Sequence, residues 1–130
     1  MKKIISLAII LFLSSGAKAM TVETYETYFK NASGEGERLI NSYFSGVVNS
    51  VIQLNDLSPV LCKNCKKFFC GVETASKDNK ELFLEMYELG LSGLETVNTE
   101  NSNKLDINKM DIEFIFLTGL SAKYLCKKIQ

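Results

Sequence analysis

The 130-residue chain has no histidine and no tryptophan, and its one proline is Pro59. Without histidine, neither a Ser-His-Asp nor a Cys-His nucleophile can be assembled, and no zinc site can use imidazole. Acid–base chemistry would fall to carboxylates, lysine, tyrosine or cysteine. Most common ways of being an enzyme are closed, so the chain reads as a non-enzyme without a cofactor. Long apolar runs are scarce as well. The one candidate, Ile4–Leu13, is ten residues long, against about 20 for a membrane-spanning helix. Lys2 and Lys3 precede it and Ala17-Lys18-Ala19 follows. That is the plan of a secretory signal peptide cut after Ala19.

The expected mature protein is therefore a single domain over residues 20–130, placed in a bacterial periplasm or secreted, with no membrane segment left. Loss of Lys2, Lys3 and Lys18 takes the formal net charge from 0 to −3. A mildly acidic chain without a basic stripe is not a nucleic-acid binder. An apolar content of 46% for the whole chain argues against disorder.

What remains is helical periodicity. Over 35–54, Leu39, Ile40, Tyr43, Phe44, Val47, Val48, Val51 and Ile52 recur as pairs four apart and trace one broad face. Gly46 sits inside that helix at a cost of about 1 kcal/mol relative to alanine, offset if another helix approaches closely there, and Asn55-Asp56 should end it. A shorter helix over 21–30 is carried by Val22, Tyr25, Tyr28 and Phe29. The sequon-like Asn31-Ala32-Ser33 between the two reads as a polar loop. A third helix over 77–91 has Ser76 as cap, Asp78 in its first turn, and Gly90 and Gly93 at its end. The polar stretch Glu95–Lys104 reads as an exposed loop. A last helix over 109–128 has Asn108 as cap, an Ile107–Ile112 staple, and apolar residues around most of its girth, which predicts the central position. The expected fold is all-α: a small disulfide-stabilised bundle of about four helices.

Four cysteines, Cys62, Cys65, Cys70 and Cys126, in an exported chain read as two disulfides. Three pairings are open. Cys70–Cys126 with Cys62–Cys65 is the expected one, and the long-range bridge would stabilise by about 4 kcal/mol in the chain-entropy model. A structural zinc on the four thiolates lacks matching spacing in its second half, and a Cys62-x-x-Cys65 redox motif lacks a βαβ frame. No metal is expected. Glu81, Glu85 and Glu88 lie at helical spacing and read as a solvated face. Lys63, Lys66 and Lys67 form a small basic patch beside the cysteines.

The order of features resembles one family. The helix segment Tyr43-Phe44-Ser45-Gly46-Val47-Val48, the Phe69-Cys70 ahead of a Thr74-led helix, and a closing helix ending at Leu125-Cys126 are similar to the Rap/Tai immunity proteins. These act against peptidoglycan amidase effectors of type VI secretion. Here Gly71-Val72 stands where the family carries a proline after the cysteine, Leu125 stands where it carries one before the last cysteine, and Cys62 and Cys65 are additional. The resemblance covers about residues 40–126. It implies a periplasmic helical protein, often a homodimer, that binds an exported amidase and blocks its active site, and it supports pairing Cys70 with Cys126. By exposure and length, the candidate contact residues are Glu95, Thr96, Asn98, Glu100, Asn101, Asn103 and Lys104 in one segment and Asp56, Lys63, Lys66 and Lys67 in another. Two other classes remain as alternatives: a periplasmic helical chaperone or stress protein, and an exported helical protein of another role.

Overall fold

The computed structural model describes residues 19–61, 63, 66–72 and 78–126. The expected signal peptide, Cys62 and Cys65, and the Ser76 cap lie outside these residues. Among the described residues the fold is an all-α bundle of four helices, with a disulfide between Cys70 and Cys126. Helix α1 is a single turn, Val22–Thr24, capped by the Thr21 hydroxyl and continued by a π-helical turn over Tyr25–Phe29. Helix α2 spans Glu35–Leu61, α3 spans Asn79–Glu100, and α4 spans Ile112–Tyr124. None of the described helices is long and apolar enough to cross a membrane.

Helix α3 occupies the middle, packing against both α2 and α4. The fully apolar α4 was the sequence's candidate for that place. It exposes Phe114 and Leu117 instead: its most extensive packing is with α3, and it buries Ile112, Ile115, Phe116 and Leu120. The core is aromatic. Phe44 of α2, Phe83 of α3 and Phe116 of α4 stack in series, with ring centroids 4.1 and 4.9 Å apart. Tyr25 closes one end of this column edge-on to Phe44 and Tyr87. Stacked and edge-to-face rings add about 0.5–1.5 kcal/mol per pair beyond burial.

Gly90 and Gly119 set how closely α3 and α4 approach. A methyl on Gly90 would overlap the Ile115 carbonyl, and one on Gly119 would overlap the Met86 carbonyl. Gly90 therefore does not end α3. It faces α4 at the crossing, and the helix runs on for ten residues. Gly46, where a close approach was expected, has open space: a methyl there would meet nothing within 4 Å.

Non-local contacts account for the other differences. The start of α4 falls at Asp111 rather than Asn108. Val22 N–H donates to Met110 O (2.8 Å) and Ile112 N–H donates to Met20 O (2.9 Å). This pairing holds Met110 extended and leaves Ile107–Lys109 as a separate 3-10 turn. Helix α2 passes Asn55-Asp56 because Asn55 is buried (3% exposed) and bonded, not a stop. Its amide donates to Phe69 O (2.8 Å), and its Oδ1 accepts from the N–H groups of Phe68 and Phe69, both at 2.9 Å. Pro59 lies in the last turn, where it removes one helical hydrogen bond. Asp78, not Ser76, caps α3 through Glu81 N–H at 2.8 Å.

Candidate functional site

The expected loop Glu95–Lys104 is mostly helix. Glu95, Thr96, Asn98 and Glu100 belong to the last two turns of α3, and only Asn101, Asn103 and Lys104 lie in the connector that follows. The polar run stays helical because Leu91 and Leu94 still pack against the core and Asn98 follows them at helical spacing. Thr96 and Thr99 turn their hydroxyls back to Ser92 O and Thr96 O (2.9 and 2.7 Å). Asn98 is the main clamp. Its Nδ2 donates to Leu105 O and its Oδ1 accepts from Leu105 N–H, both at 2.8 Å. A side chain paired with both backbone groups of one residue fixes the connector to the helix. Asn101 closes the helix by donating from Nδ2 and N–H to Val97 O.

This end of the bundle is concave. A cleft of about 510 Å³ opens between α1, the end of α3 and the 3-10 turn. Glu26, Lys30, Glu95, Asn98, Asp106 and Asn108 supply its polar wall, and Leu91 and Leu105 contribute apolar surface. Glu26 links two neighbours. It accepts from Lys30 Nζ (2.7 Å) and from Tyr87 Oη (3.1 Å). The bond to Glu26 raises the Lys30 pKa, and burial followed by the Glu26 charge raises that of Tyr87. Lys30 stays an ammonium and Tyr87 stays a neutral donor at neutral pH, so both keep their bonds to Glu26.

The second segment also differs from a free loop. Asp56 is within α2, and Lys67 Nζ pairs with it at 2.7 Å. Lys63 and Lys66 are exposed, with Ser58 Oγ donating to Lys66 O at 3.3 Å. Beyond them Cys70 N–H donates to Tyr124 O (2.8 Å) and Cys126 N–H donates to Phe68 O (2.9 Å). The Cys70–Cys126 disulfide locks this junction, with Cα atoms 5.0 Å apart across a sequence separation of 56. The expected long-range pairing is thus present, while the Cys62–Cys65 pairing lies outside the described residues.

The two candidate segments do not meet. One adjoins the start of α4 and the other its end, and thirteen helical residues between them span about 20 Å. Of the acidic face on α3, Glu85 pairs with Lys123, while Glu81 and Glu88 are exposed. No group of three or more metal-ligating side chains occurs among the described residues. Sequence reading missed Asn98 and Asn55 as clamps, because an asparagine in a polar run looks the same whether it is solvated or bonded.

No family model, curated protein or solved structure matches the chain.

Proposed function

We propose that the protein is a periplasmic immunity protein that binds and occludes a peptidoglycan amidase effector of a type VI secretion system. The observation that carries the reading is the Cys70–Cys126 bridge. It joins the Phe69-Cys70 and Leu125-Cys126 segments on which the resemblance rests. An inhibitor of this kind acts by filling a cleft and needs no catalytic residue of its own, in keeping with a chain that lacks histidine.

The contact surface is the α3 end of the bundle. Glu100 is exposed on the last turn of α3, and Asn103 and Lys104 are exposed on the connector that the Asn98 clamp already holds. A held connector loses little freedom on binding, and that ordering cost is among the larger penalties of association. The Lys63–Lys67 end is too far away to enter the same cleft and serves at most as a second contact.

The test is co-purification. Tagged mature protein is recovered from the envelope of the source cells and its partners are identified by mass spectrometry. One stoichiometric cell-wall amidase is the expected result, with binding lost in Glu100→Arg or Asn103→Arg while the far-UV circular dichroism is kept. A broad set of unfolded clients would replace this reading with the chaperone alternative. A single amidase whose binding ignores both substitutions would move the contact away from the α3 end.

A further inference from the structure

The disulfide end of the bundle gathers exposed apolar side chains and positive charge in one place. Leu54, Leu57, Val60 and Leu61 fall within one arc of about 120° at the end of α2. All four are exposed, Val60 and Leu61 to 77% and 75%. Phe68 on the connector and Leu125 at the end of α4 are exposed as well. The backbone holds these segments together. Asn55 accepts from the N–H groups of Phe68 and Phe69, Phe69 pairs with Leu125 in an isolated antiparallel bridge, and the Cys70–Cys126 bond closes the junction.

Charge is segregated to match. Residues 57–72 and 114–130 carry six lysines and no acidic residue. Lys63 and Lys66 are exposed, and Lys67 neutralises Asp56 of α2. The opposite end is acidic. Glu23 and Glu26 lie in and just after α1, Glu35 and Glu37 in the first turn of α2, and Glu100 and Asp106 beside the α3 end.

We propose that the disulfide end docks peripherally on an anionic lipid bilayer, with Val60, Leu61 and Phe68 entering the headgroup layer and Lys63 and Lys66 meeting lipid phosphates. Interfacial binding needs apolar area and basic charge together, and both stand here on one rigid junction. A protein partner would need carboxylates and apolar pockets in matching register, whereas an anionic bilayer supplies phosphate and hydrocarbon in any register. No described helix can cross a membrane, so the contact stays at the surface. The negative surface potential attracts the lysine end and repels the acidic end. One orientation results, with the α3 end turned away from the lipid. The proposal does not depend on the effector reading, since it leaves open what the α3 end binds.

Vesicle co-sedimentation of the disulfide-bonded mature chain tests it. Vesicles of equal parts phosphatidylglycerol and phosphatidylcholine should bind at least tenfold more tightly than pure phosphatidylcholine. Raising salt from about 0.1 M to about 1 M, which shortens the Debye length from about 10 to about 3 Å, should weaken binding. Leu61→Glu should weaken it at least tenfold with unchanged circular dichroism. Lys63→Gln and Lys66→Gln should each cost roughly fivefold, the effect of one lysine at an anionic surface. Leu39→Glu, at an exposed leucine near the other end of α2, should change nothing. The chain has no tryptophan, so Phe68→Trp reports insertion alone, and its emission should shift to the blue with the anionic vesicles only. Absence of binding to anionic vesicles overturns the proposal. So does equal binding to both compositions, or a loss in Leu39→Glu as large as that in Leu61→Glu. A chain that ignores vesicles but forms a dimer or a protein complex broken by Leu61→Glu assigns the surface to that partner and overturns it too.

Discussion

A methyl group at Gly119 should be among the most damaging small changes in this fold. The added carbon would overlap the Met86 carbonyl across the α3–α4 crossing, and at Gly90 it would overlap the Ile115 carbonyl. In both cases the obstructing atom is backbone, which cannot rotate away, so the helices must separate by on the order of 1 Å. A gap of that size forfeits a quarter to a half of the dispersion energy of each contact it opens. The Phe83–Phe116 stack at 4.9 Å and the fully buried Met86 and Ile115 lie in the zone affected. Overpacking costs about 1–3 kcal/mol, with the upper end expected here. Replacing glycine by alanine inside a helix returns about 1 kcal/mol. The net loss is about 2 kcal/mol for Gly119→Ala and similar for Gly90→Ala, roughly a 10 °C fall in Tm for a domain of this size. Gly93→Ala is the control. It sits three residues further along α3 with nothing within 4 Å of the added carbon, so it should gain up to about 1 kcal/mol. Urea denaturation of the three variants reads the difference directly. If Gly119→Ala falls within about 0.5 kcal/mol of Gly93→Ala, a spread typical of neutral surface changes, the close crossing is not what holds these helices together.

Three further outcomes follow from other parts of the bundle. Asn55→Ala should cost roughly 1–3 kcal/mol in urea denaturation, because it strands two part-buried N–H donors and one carbonyl of the Phe68–Phe69 connector. Replacing Cys70 and Cys126 together by serine should lower stability by about 4 kcal/mol in the chain-entropy model, measured against the oxidised parent. Glu113→Gln should stabilise the fold modestly at neutral pH, because a neutral amide of the same shape carries no charge to desolvate. Burial raises the Glu113 carboxyl above its usual 4.5. The folded state therefore holds that proton more tightly than the unfolded chain, and the parent gains stability as pH falls through the raised value. The advantage of the glutamine variant should be full above that value and vanish below it, as thermal melts across the acid range would show.

How much of this was legible in the sequence depended on whether the cause was local. The four helices follow from periodicity, and the Asp78 region announced the start of α3 to within two residues. The failures share a non-local origin. Gly90 reads as a stop because glycine at a helix end and glycine at a helix crossing are the same letter. Only Gly119, far along the chain, tells them apart. The start of α4 is displaced by strand-like pairing with Met20 and Val22, which no local window contains. The Glu95–Glu100 run was read correctly as polar and exposed but wrongly as loop, since its helicity is sustained by Leu91 and Leu94 one turn earlier.

The most informative case is α2, where the residues were identified correctly and their grouping was not. Leu39, Ile40, Tyr43, Phe44, Val47 and Val48 formed one broad face in the sequence. In the bundle they separate into Ile40, Phe44 and Val48, which are buried, and Leu39, Tyr43 and Val47, of which Leu39 stays 59% exposed. A neighbouring helix covers only the arc that its own ridge can reach, roughly the three or four positions per two turns of an amphipathic stripe. Paired apolar residues at every turn exceed that arc. The excess, continued by Leu54, Leu57 and Leu61, stays exposed. In α2 the width of the apolar face, more than its strength, therefore decides which of its residues stay exposed, since one neighbouring helix cannot cover them all.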